Sequence, residues 1–120
     1  MPCAALPSLL DALPASPEAA LRLVNTSKGI EPETLRRMSQ VVADRFRNAR
    51  LAALSGPTFA EGVARGDPSA AVVASRDPEW AAELQSALSS SGLRLYRSDD
   101  LAGVELSGAL KNVVAIAAGI

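Results

Sequence analysis

Apolar and polar positions switch between two periods along this 120-residue chain, and the switching predicts alternating helices and strands. Pro2 to Leu13 reads as a short helix with Leu6, Leu9, Leu10 and Leu13 on one face, which Pro7 either starts at the first helical position or kinks. Leu21 to Thr26 alternates as a strand does, and Ser27-Lys28-Gly29 makes a turn. Pro32 opens a helix, with Glu31 and Glu33 at its positive end and Leu35, Met38, Val41, Val42 and Phe46 at helical spacing. Leu51 to Ser55 is a short buried strand, broken by Gly56-Pro57-Thr58 and followed by a helical segment through Val63. Ala70 to Ser75 is apolar almost throughout, as in a strand covered on both faces. Asp77-Pro78 caps a helix that turns Trp80, Ala81, Leu84, Ala87 and Leu88 inward and ends near Gly92. Leu93 to Arg97 is another strand, Ser98 to Gly103 a polar loop, and one long helix runs from Val104.

Alternating strands and helices favour an α/β layered sheet, here half-sized with exposed edges. The core is built from small residues, since Ala alone supplies 23 positions. Twelve basic and 13 acidic groups give no basic face for nucleic acid. The absence of His removes Ser-His-Asp triads, Cys-His pairs and His-ligated zinc, and no metal site is expected. A single cysteine, Cys3, excludes an intrachain disulfide and a CxxC site, and fits a reducing, cytoplasmic setting. The N-terminal residues lack the basic start of a signal peptide. The uncharged run Asn112 to Ile120 is far shorter than the ~20 residues of a membrane span, so no span is expected. That run has no cap and no charged last turn, which reads as a chain cut short. No GxGxxG and no Walker motif is present.

Lys111 is the most informative residue. On a helix, Val104, Ser107, Gly108, Lys111 and Ala115 share a face, so small side chains leave room for a ligand beside one ammonium. Burial there lowers a lysine pKa toward the range of a proton donor; spacing alone equally allows a snorkelling lysine. Asn112 lines up with Glu105 and Gly108 on the next stripe, and Glu105 reads as a first-turn helix charge only loosely placed to pair with Lys111. Lys28 follows a strand end, where open α/β sheets hold ligands and a lysine can hold a phosphate, or it is a plain surface lysine. Gly56 permits close backbone approach. Thr58 can cap the next helix and offer its hydroxyl and N–H to an anion, or simply cap it. Cys3 has no base nearby in sequence and reads as inert.

Three segments carry a resemblance. Asn25-Thr26-Ser27-Lys28-Gly29-Ile30-Glu31, Leu54-Ser55-Gly56-Pro57-Thr58-Phe59-Ala60 and the run from Gly103 to Gly119 around Leu110-Lys111-Asn112-Val113 stand in this order and at these separations. Together they resemble NAD(P)-dependent glycerol-3-phosphate dehydrogenase over essentially the whole chain. The resemblance implies the second half of a Rossmann-like nucleotide-binding sheet over residues 1–102. Residues 103–120 would begin the first long helix of an all-helical substrate domain. It implies reversible reduction of dihydroxyacetone phosphate to sn-glycerol 3-phosphate with NAD or NADP. Lys111 matches the catalytic lysine, and Lys28 a lysine touching substrate and cofactor. Gly56 and Thr58 match substrate contacts, Ala60 a cofactor contact, and Asn112 a neighbour of the catalytic lysine with a weaker role.

The glycine-rich pyrophosphate turn, the segment that reads the ribose 2′ position and most of the helical domain are missing from these residues, and Pro7 is unusual for the first helix. The expectation is therefore a central fragment, inactive alone, of an enzyme acting on a small phosphorylated substrate, with a homodimer possible for the parent. Two other readings stand beside it: a related two-domain hydroxyacid-type dehydrogenase, and a non-catalytic α/β module that binds a partner chain. The Gly56 to Ala60 segment favours the first over the hydroxyacid enzyme.

Overall fold

A computed structural model of the chain describes residues 3–119. A 3₁₀ turn, Cys3–Ala5, leads into α1 (Leu6–Ala12). Then follow β1 (Arg22–Asn25), α2 (Met38–Arg45), β2 (Arg50–Ser55), α3 (Ala60–Arg65), β3 (Ser69–Ala74), α4 (Pro78–Leu88), β4 (Leu93–Ser98) and α5 (Leu101–Gly119). The sheet order is β1-β2-β3-β4. β1 lies parallel to β2 and β3 parallel to β4, but β2 and β3 are antiparallel, with Ala53 opposite Ala74 and Ser55 opposite Val72.

Alternation along β2 sorts the layers. Leu51 packs with Leu23 into a cluster built on Leu6, Leu10, Met38, Val42 and Phe46, so α1 and α2 cover that face. Ala53 continues the same face against Leu101 and Val104 of α5. Ala52 and Leu54 point to the other face, where Val73, Trp80 and Leu84 seat α4. The expected alternating α/β layers and half-sized sheet are therefore found.

Several expectations are corrected. Pro2 lies outside the described residues; from Cys3 onward the N-terminal helix is present, but Leu9 is exposed rather than inward. The helix read from Pro32 begins only at Met38. The Glu31 carboxylate accepts from the Thr34 N–H (3.0 Å) and from the Thr34 hydroxyl, and the Glu31 carbonyl accepts from the Leu35 N–H. These local bonds close a turn before a helix can propagate. Leu35 adopts φ 57° and stands 76% exposed instead of joining the core.

In α4, Trp80, Ala81 and Leu84 are buried as read, while Ala87 and Leu88 are exposed and the helix stops at Leu88. The polar loop before the last helix is shorter than read: Asp100 accepts the Gly103 N–H at 2.8 Å, and α5 already starts at Leu101. The boundary read at 102/103 thus falls inside a helix. By length and apolar composition α5 could cross a membrane. That is more than its charge-free tail suggests, but Leu101, Glu105 and Gly108 are buried against the rest of the fold.

Candidate active site

Turn chemistry after β1 aims Lys28. The Asn25 side chain closes the turn by accepting the Ser27 N–H (3.0 Å) and donating to the Ser27 carbonyl (3.2 Å). Gly29 follows at φ 141°, and a Cβ there would lie 2.8 Å from Cys3 Sγ, so glycine alone fits beneath the cysteine. Lys28 is left half-buried, reaching across to the loop after β2. Its ammonium donates to the Gly56 carbonyl at 2.9 Å and to the Thr58 carbonyl at 3.4 Å.

That loop is fixed by its own glycine. A Cβ on Gly56 would fall 2.8 Å from Ala71 Cα and 2.9 Å from the Ala70 carbonyl. The close approach that Gly56 permits is therefore to β3. Thr58 does not cap α3: the cap position is Phe59, with no side-chain bond to the helix. What Thr58 contributes is its carbonyl, to Lys28.

Lys111 arrives from α5. Gly108 leaves room for α5 to sit on β2, since a Cβ there would come 2.6 Å from Ser55 Oγ and 3.7 Å from Lys28 Cγ. Ser55, Gly56, Pro57, Val72, Val104, Ser107, Gly108 and Lys111 line a pocket of about 340 Å³. Four of the five residues read as one helical face, Val104, Ser107, Gly108 and Lys111, do line it; Ala115 does not. The Lys111 ammonium lies 5.7 Å from the centroid of the Phe59 ring, within cation–π range.

Partial burial pushes the Lys28 pKa below its ordinary value. The adjacent charge of Lys111 and hydrogen bonding with it push further the same way. Two ammonium groups held close, with one disfavoured in its charged form, make a place where an anion relieves the repulsion.

The structure thus brings Lys28, Gly56, Thr58 and Lys111 together, Gly56 and Lys111 in the pocket lining and Lys28 and Thr58 beside it. Ala60 opens α3 as an exposed residue outside the pocket lining, and Asn112 is exposed on α5. Sequence reasoning gave Phe59 no role and misplaced Glu105. Phe59 stands 77% exposed beside Lys111, and an aromatic between the Gly56-Pro57 breaker and a helix start, in a chain only 3% aromatic, was the available signal. Glu105 is not a first-turn surface charge. It is buried, and its carboxylate accepts from the Ser39 N–H (2.7 Å), the Ser39 hydroxyl (2.6 Å) and Arg37 (2.8 Å).

Known proteins resemble the chain in sequence and in fold. The family described as NAD-dependent glycerol-3-phosphate dehydrogenase N-terminus matches residues 1–81. A glycerol-3-phosphate dehydrogenase (NAD(P)+) of Acidobacterium capsulatum is 50% identical over 103 residues, covering 82% of this chain and 30% of its own. One from Chelativorans sp. is 49% identical over 119 residues, covering 99% of this chain and 36% of its own. The crystal structure of glycerol-3-phosphate dehydrogenase from Coxiella burnetii superposes with a TM-score of 0.80 at 31% identity, over 98% of this chain and 34% of that one. The chain spans about a third of the length of these relatives. Matched over most of its residues by the family's N-terminal region, and sharing its fold, the chain belongs to the NAD-dependent glycerol-3-phosphate dehydrogenase family.

Proposed function

We propose that these residues supply the substrate-binding and proton-transfer groups for interconversion of sn-glycerol 3-phosphate and dihydroxyacetone phosphate with NAD or NADP. The observation that carries this reading is the approach of Lys28 to Lys111 beside a small pocket that Lys111, Gly56 and Gly108 help to line. Lys111 in the lining of this 340 Å³ pocket and Lys28 beside it suit a small phosphorylated ketone and the reactive end of a nicotinamide. Lys28 and Ala60 are the residues here that would hold the cofactor, which supplies hydride when bound.

Lys111 is the catalytic residue in this reading. In the reducing direction its ammonium donates a proton to the ketone oxygen as negative charge develops there; in the oxidising direction its amine accepts the hydroxyl proton. Lys28, fixed by the Gly56 and Thr58 carbonyls, holds the substrate from the strand side. Gly56 and Thr58 shape the substrate's surroundings, and Asn112 has at most a supporting role. The residues before Leu101 belong to the nucleotide-binding domain, and α5 leads into the substrate domain. The enzyme works in the cytoplasm, and a homodimer is compatible with it.

The test is a graft: these 120 residues replace the matching segment of the Chelativorans sp. relative. Expected is NADH or NADPH oxidation with dihydroxyacetone phosphate that is lost in Lys111→Ala. An active graft indifferent to Lys111→Ala overturns the assignment, and preference for a 2-keto acid favours the hydroxyacid reading.

A further inference from the structure

The first half of α5 buries an acid where an apolar residue would pack. Its buried positions are Leu101, Glu105 and Gly108, all toward the sheet and α2. A buried ion pair is a poor way to gain stability, because desolvation offsets most of the attraction and a hydrophobic pair often does as well. What directional bonds add is a single allowed orientation. Glu105 takes three, two of them from Ser39 at the start of α2. Arg37, which closes the third, also donates to the Ser39 hydroxyl at 3.0 Å and is itself largely buried. The α2 end of this clasp is fixed in turn, since the Arg37 N–H donates to Gln40 Oε1 at 3.1 Å.

We infer that the Glu105–Ser39–Arg37 clasp is a positioning device for Lys111: it fixes the rotation of α5, so that the ammonium stands over the pocket rather than beside it. Gly108 lies between the two residues on the helix and lets α5 sit down on Ser55, which sets depth; Glu105 sets rotation. A side-chain tip about 6 Å from a helix axis moves about 1 Å for each 10° of rotation. A misplacement of that size costs proton transfer up to about a hundredfold. Binding by a long, flexible ammonium tolerates it far better. The inference rests on the proposed role of Lys111.

The experiment has two arms. In the 120-residue chain, the Lys28 ammonium is followed by NMR as a reporter of Lys111 proximity, with circular dichroism to check folding. Glu105→Gln and Ser39→Ala should bring the Lys28 pKa closer to its ordinary value as Lys111 swings away. In the graft, Glu105→Gln should lower kcat about ten- to a hundredfold and shift substrate KM less than about threefold, with Ser39→Ala smaller in the same direction. Glu105→Asp, which keeps the charge on a shorter stem, should recover part of kcat.

Variants that lose thermal stability but keep kcat and the Lys28 titration overturn the inference. If Glu105→Gln fails to fold, Ser39→Ala decides between the same two outcomes. An active graft that needs Lys111 but ignores the clasp overturns only this inference. A graft indifferent to Lys111→Ala overturns the proposed function itself.

Discussion

Lys28 and Lys111, 83 residues apart in the chain, bring two positive charges close together at the edge of one pocket, and each is steadied by the loop after β2. The carbonyls of Gly56 and Thr58 hold the first, and the ring of Phe59 lies under the second. The repulsion is measurable. Lys111→Met removes a neighbouring charge, so the Lys28 pKa should rise toward its ordinary value; burial remains, so it should not return fully. Added inorganic phosphate should raise it too, with proton uptake on binding. NMR titration of the lysine ammonium checks both signs, and a Lys28 pKa unmoved by Lys111→Met would show that the two groups do not interact.

Replacing Lys111 separates charge from proton exchange. In the graft, Lys111→Ala should lower kcat on the order of 10²–10⁴. Lys111→Arg should be nearly as damaging, because a guanidinium keeps its charge but does not release its proton near neutrality. Steady-state kinetics on both variants decides. An arginine variant retaining most of the rate would make Lys111 an electrostatic anchor instead.

Two glycines at the pocket should respond differently to the same methyl. Gly56→Ala drives a Cβ against the backbone of Ala70 and Ala71, which cannot move aside, and should cost about 1–3 kcal/mol of stability. Gly108→Ala meets the Ser55 hydroxyl, which can rotate, while the helix gains about 1 kcal/mol of propensity. Its stability should stay within about 1 kcal/mol of the parent while substrate use falls. Urea denaturation compares the pair; equal losses would mean that α5 is held as rigidly as the strands.

This contrast bears on what the residues disclosed beforehand. Strands were legible because their apolar runs sit between clear breakers, as at Gly56-Pro57 and Asp77-Pro78. The start of α2 was not, because a carboxylate at Glu31 that binds Thr34 overrides a good helical period. The antiparallel step between β2 and β3 has no signature in composition. Lys111 could be picked out by its small neighbours and Lys28 by its place after a strand, but Glu105 could not, since its partners lie far away in sequence at the start of α2.

Acid should loosen the far end of the sheet. The Asp77 carboxylate is held by the Arg50 guanidinium (2.5 and 3.1 Å) and by the Trp80 N–H (3.0 Å), which depress its pKa to about 2. An unfolded Asp titrates near ~3.9. The charged form is therefore favoured by folding, and its contribution is fully present above about pH 4 and lost as pH falls toward 2. Asp77→Asn should lower the melting temperature at pH 7, with the difference closing across that window. Thermal melts from pH 7 to 2 test it; a constant difference would assign the loss to packing.

The reversal between β2 and β3 also turns α5 into a measuring rod. Because β4 runs opposite to β2 and ends level with Ala53, the helix starts against Ala53 and must run on toward Gly56 to deliver Lys111. From Leu101 that run is about 15 Å at 1.5 Å per residue. One residue inserted along it would advance the ammonium by about 1.5 Å and swing it through about 100°. The stretch from Leu101 to Lys111 is thus constrained in number as well as kind: many of its exposed side chains can be exchanged, but none can be added or removed.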